Sequence, residues 1–247
     1  MVAALPVTLG VVLLKIIIIQ VLKYEGLVHF AEIGLVITGG IFLIGFMLAG
    51  TLADYKESEK IPAEMAGTLE SMEDTIVLAH LFKDDFDLEA QKKQLNEVTA
   101  SILRYFAHQE SEDAVYKRIE EISSIAIHVE KTKMGSTTSW VKREQSNLRK
   151  LFTRTTVIKR TSFIATGYAF LEVLTIVIIV LLLITKFENV ITGLILVSFF
   201  TQIFVYMVRL IKDIDHPFEY PANGKVRAAD IDLFPLIEYH ERAKARL

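Results

Sequence analysis

The sequence has no cysteine, which excludes disulfides, thiolate metal sites and a cysteine nucleophile. It has no excess of either charge: 30 acidic residues against 27 basic ones give a formal charge of -3. No basic surplus is there to neutralise phosphates, so nucleic acid is not an expected partner. Phosphate-cradling loops of the Walker type, a GxGxxG turn and a GxSxG elbow are all missing. The six histidines (His29, His80, His108, His128, His216, His240) follow no HxH or HExxH spacing, so no metal ligands, cofactor or catalytic residues are expected and the chain does not read as an enzyme. The first apolar run lacks a basic lead-in and a clear small-residue cleavage site, and is therefore expected to stay as a span rather than to be removed as a signal peptide.

What the chain does have is apolar length. Hydrophobic residues make up 52% of its 247 positions, and the mean hydropathy of +0.40 is too high for an ordinary soluble protein. Residues 2–22 can cross a hydrocarbon core of about 30 Å at about 1.5 Å per residue, with Lys15 and Gln20 the strongly polar interruptions. A second run covers about Val28 to Ala53, a third Ser162 to Thr185 and a fourth Val190 to Ile211, the last two joined by a turn at residues 186–189. The expected fold class is an all-α membrane protein: four transmembrane helices with a helical cytoplasmic layer inserted between helices two and three. Its expected parts are a transmembrane hairpin at 1–53, a cytoplasmic helical domain at 54–161, a second hairpin at 162–211 and a cytoplasmic tail at 212–247.

Lys and Arg set the orientation. Seventeen lie in residues 53–161 and seven in 209–247, leaving Lys15, Lys23 and Lys186 elsewhere. After four crossings both rich regions share one side, which the positive-inside rule makes the cytoplasm. A multi-pass protein of the cell membrane with both termini inside is expected. Within the middle third, apolar stripes at three or four residue spacing predict helices: Leu69, Met72, Ile76, Ala79; then Leu88, Leu95, Val98, Ile102, Phe106; then Val115, Ile119, Ile122, Ala126, Val129. Breaks are expected at residues 83–85, 108–113 and 134–139. No strong breaker precedes Pro62, so helix two is expected to run on into this domain.

Two features of the spans invite a functional reading. Unpaired charge at bilayer depth costs several kcal/mol, and Lys15 and Glu32 fall near the same end of an antiparallel hairpin, where they can pair or line an ion path. Glu172 in the third span has no evident partner. In the second span Gly34, Thr38, Phe42, Phe46 and Gly50 recur every four residues and share one helix face. Small residues of this kind make a packing seam; phenyl rings repeated around an axis make a dewetting constriction.

At this point the residues resemble a known family. Phe42-Leu43-Ile44-Gly45-Phe46 is similar to the F-x-x-G-F of the bestrophin neck, and residues 53–60 (ADYKESEK) to the run that ends the same helix in bacterial bestrophins. Asp213-Ile214-Asp215-His216-Pro217-Phe218 is similar to the acidic-x-P-F-G motif after the fourth span, and residues 230–236 (DIDLFPL) to the N-D-L-P-L beyond it. The nearest likeness is to the bestrophin-like membrane proteins of bacteria and archaea. It covers some 40 residues by motif and the whole chain by layout.

The resemblance implies a homopentamer in a lipid bilayer, conducting small inorganic ions through a central pore with neck residues Thr38, Phe42 and Phe46. Departures limit what carries over. The tryptophan pair after helix two is absent, Glu219 replaces the glycine after Pro217-Phe218, and the dense acidic run of the animal calcium clasp is missing, so calcium activation is not implied. The family favours chloride or other small monovalent anions, which the basic stretch from Lys142 to Arg160 could attract. Glu25, Glu32 and Glu188 outnumber Lys23 and Lys186 around the opposite end, which favours a cation channel of the same architecture. A non-conducting membrane scaffold or sensor is the alternative of a different class.

Overall fold

The computed structural model describes residues 4–83, 85–133, 137–161, 165–220 and 227–247. The chain divides into two compact units, residues 1–54 with 162–215, and residues 55–161 with 216–247.

The first unit holds α1 (Leu5–Gln20), α2 (Phe30–Ser58, whose last residues belong to the second unit), α7 (Ala165–Ile184) and α8 (Val190–Ile214). The helices containing Phe30, Gly167–Ile184 and Val190–Ile214 are long and apolar enough to cross a membrane, so this is a membrane protein. With 16 residues α1 is shorter, about 24 Å, against the 21 residues expected from the sequence. Residues 162–164, where the third span was expected to begin, lie outside the described residues.

Ile33, Ile37 and Ile44 form the buried side of α2, packed with Leu171, Ile178 and Leu182 of α7 and Val197, Phe204 and Ile211 of α8. Their spacing of four and seven residues keeps them on one face. A two-residue parallel pairing, unforeseen in the sequence, ties the start of α2 to the end of α7: β1 (Val28–His29) pairs with β2 (Thr185–Lys186). It takes Val28 and His29 out of the expected second span. Gly26 makes the approach possible, because its φ is +102 and a Cβ there would lie 2.6 Å from the Lys186 amide nitrogen.

The second unit contains α3 (Ile61–Phe82), α4 (Leu88–Phe106), α5 (Glu112–Glu130), α6 (Thr137–Arg160) and α9 (Phe234–Ala245). The three apolar stripes of the middle third lie on α3, α4 and α5 and meet in one core with Val141, Leu148 and Phe152 of α6. Asp87 and Ser111 cap α4 and α5 by accepting the amides of Ala90 and Ala114. As expected, helix two runs on past the first unit: α2 reaches Ser58, with its last residues in the second unit, and Pro62 sits in the first turn of α3, where its missing N–H is not needed. Of the loop expected at 134–139, residues 134–136 lie outside the described residues and α6 begins at Thr137.

Candidate functional site

The face of α2 opposite its buried isoleucines is uncovered. Phe42 and Phe46 are each 72% exposed, and Thr38 and Glu32 are exposed with them. Glu32, Leu35, Phe42 and Phe46 follow at helical spacing, so an acid stands at the head of an apolar stripe. The Thr38 hydroxyl donates to the Gly34 carbonyl at 2.9 Å. Its hydrogen is spent inside the helix, which leaves the oxygen only as an acceptor.

Lys15 and Glu32 are not brought together, which corrects the pairing expected from the sequence. The Lys15 ammonium donates to the carbonyls of Leu182 (3.3 Å), Leu183 (2.7 Å) and Thr185 (2.7 Å) and lies 5.3 Å from the centre of the Phe187 ring. Glu32 instead accepts the His29 amide at 3.1 Å, at the start of its own helix. The physical reason is the end of α7. The last carbonyls of a helix lack partners within it, and where they are buried away from water each needs a donor from elsewhere. Here Leu181 accepts from the Thr185 hydroxyl and Ile184 from the Leu27 amide, while Lys15 takes Leu182 and Leu183. A cation also complements the negative end of the helix dipole. The sequence offered no signal for this, since the partners are backbone atoms.

Glu172, expected to lack a partner, is bonded to Lys212 of α8. Nearby, the Tyr168 hydroxyl donates to Asp215. Asp213 is exposed. In the second unit Pro217 and Phe218 are buried, and the Phe106 and Phe218 ring centres are 5.8 Å apart. Asp215, Pro217 and Phe218 of the motif after the fourth span are thus each engaged in a hydrogen bond or in packing within their own unit.

The basic stretch of α6 is partly neutralised. Arg143 stacks 3.8 Å from the Trp140 ring centre, Arg154 reaches Glu57 at 3.3 Å and Arg160 reaches Glu112 at 2.6 Å. Burial pulls the Lys159 ammonium below the usual lysine range. Among the described residues no group of three or more His, Asp or Glu side chains could hold a metal ion.

No protein-family model matches the sequence, and no curated protein matches it. Solved structures do match in fold. A single-residue variant of a bacterial bestrophin homologue from Klebsiella pneumoniae aligns with a TM-score of 0.74 at 13% identity, covering 97% of this chain and 96% of the other. A second variant of that homologue gives 0.72 at 13% identity over 96% and 95%. The homologue phased on zinc gives 0.69 at 12% identity over the same shares. The likeness runs through both units and nearly the full length of each chain, and the protein therefore has the fold of the bacterial bestrophin homologues.

Proposed function

We propose that this chain is the subunit of a pentameric ion channel of the cell membrane, with α2 lining the pore and Thr38, Phe42 and Phe46 forming its neck. The observation that carries the proposal is the uncovered aromatic face of α2. Two phenylalanines at 72% exposure share a face with Leu35, while the isoleucines on the opposite side hold the helix to its own subunit. Copies of that face around an axis would make a narrow apolar constriction of the kind that gates by dewetting. The shared fold with bestrophin homologues and the motif resemblance support a channel and its subunit number. In this reading α1 is the first of four spans, both termini are cytoplasmic and the second unit is the cytoplasmic layer.

Chloride or another small monovalent anion is the proposed cargo, on the strength of the resemblance. A specific observation favours the cation alternative: Glu32 is exposed at the head of the same stripe. The measurements are direct. The solubilised assembly should weigh about five times 27.9 kDa, and reconstituted liposomes should pass ions. Flux should rise when Phe42 and Phe46 are both changed to Ala, and the reversal potential in a salt gradient decides the sign of the ion. Absence of flux from both proteins sinks the channel reading and favours a non-conducting scaffold.

A further inference from the structure

A pocket of about 430 Å³ lies in the membrane unit where α1 and α7 end and α8 begins. Lys15, Lys23, Lys186, Tyr24 and Glu25 are in its wall. Lys15 is only 3% exposed, and its three ammonium hydrogens all go to carbonyls. Those dipoles solvate the charge without neutralising it, and among the described residues no carboxylate comes within ion-pair reach of Lys15. Lys186 is paired with Glu25 at 2.7 Å. Lys23 has no ion pair among the described residues. The wall therefore carries a net charge of two positives, one of them buried.

The position of the pocket identifies the counter-charge. It lies at the ends of apolar helices, the level of lipid headgroups. Val21, Leu22 and Ile191 are exposed beside it, and Tyr24 is a ring of the kind that collects at the membrane interface. The first free amides of α8 are already taken by the Asn189 side chain, which leaves Lys23 as the anion's direct partner, with Lys15 contributing its charge alone. We propose that this pocket binds the phosphate of an anionic lipid headgroup, the lysines supplying the charge and the flanking apolar side chains receiving the acyl chains. Binding here is independent of whether the protein conducts.

The test titrates the full-length protein in a neutral detergent with short-chain phosphatidylglycerol, with short-chain phosphatidylcholine, and with inorganic phosphate at matched ionic strength. Phosphatidylglycerol should bind saturably and more tightly than the zwitterionic lipid. Lys23→Gln, which removes one charge worth about fivefold in affinity, should weaken it, and Glu25→Gln, at an exposed position, should tighten it. The same variant pattern with inorganic phosphate, and weaker response to lipid, would support the anion chemistry while naming a free ion as its source. Equal binding of both lipids, with neither variant altering phosphatidylglycerol, overturns the proposal.

Discussion

Gly40 of α2 faces Phe204 of α8 so closely that a methyl group has no room between them. A Cβ on Gly40 would stand 3.0 Å from a Phe204 ring carbon and 2.6 Å from the end of Ile178. Both neighbours are fully buried, so neither can swing aside freely. Gly39, one residue earlier, would meet nothing within 4 Å. Gly40→Ala should therefore cost about 1–3 kcal/mol by overpacking, while Gly39→Ala should leave the subunit's stability unchanged or raise it. Thermal unfolding of the two variants in detergent checks this, and equal melting temperatures would contradict the assigned packing face of α2.

Lys15 is predicted to be a structural cation. Lys15→Met fills the same space but leaves the Leu182 and Leu183 carbonyls at the end of α7 without donors, and should destabilise by about 2–4 kcal/mol. Lys15→Arg keeps the charge, yet a planar guanidinium matches three carbonyls around a compact ammonium poorly. An intermediate loss is expected. Thermal melts rank the three proteins, and a Met variant as stable as the wild type would show that the carbonyls find other partners.

How much of this could be read beforehand follows from which atoms hold each element. Helices α3, α4 and α5 show in the sequence because their buried positions are apolar and regularly spaced. The inner stripe of α6 includes Gln145, Thr155 and Thr156, so it reads as a polar, basic run. Gln145 is buried only because its amide reaches the Ile119 and Glu120 carbonyls of α5 at 2.7 and 3.2 Å. Helix α9 buries Leu236, Tyr239 and Ala243, too few to mark a helix in a tail. On α2 the stripe of Thr38, Phe42 and Phe46 is visible as a pattern, but its exposed side is known only once Ile33, Ile37 and Ile44 are seen to face α7 and α8. The Lys15 site depends on backbone carbonyls 167 residues or more away, which residue types do not encode.

In the second unit, Glu110 should make stability depend on acid. Its carboxylate accepts from the Ser101 hydroxyl and from Arg104 Nε, each at 2.7 Å. Burial alone would raise this carboxyl; the two hydrogen bonds and the Arg104 charge outweigh it and hold it below the usual range. A lowered folded value means that the contribution is present above the ordinary carboxylate pKa of about 4.3 and is lost as pH falls through the folded value. Glu110→Gln should cost about 1 kcal/mol at neutral pH, a figure kept small because Arg104 is partly exposed. The gap between variant and wild type should narrow as melts are run at increasingly acid pH and close once the pH is below the lowered folded value. A gap that stays constant with pH would rule out the titration of Glu110 as its source.

The Pro217-Phe218 segment resembles a family motif, which invites a ligand-binding role that its contacts do not require. Phe218 is 1% exposed in the core of the second unit. The Pro217 carbonyl accepts the Ile231 amide at 2.9 Å, and the Tyr220 hydroxyl donates to the Ile231 carbonyl at 2.7 Å. The segment thus joins the chain leading into α9 to the aromatic group around Phe106. Phe218→Ala should remove the ring and leave a cavity, at a cost of about 3–5 kcal/mol. Asp213→Asn, at an exposed position, should stay within about 0.5 kcal/mol. Hydrogen exchange in residues 227–247 should speed up in the Phe218 variant, because these residues lose the packing that holds them. A Phe218 variant with wild-type exchange and stability, but altered response to an added ion, would instead assign the motif to ligand binding.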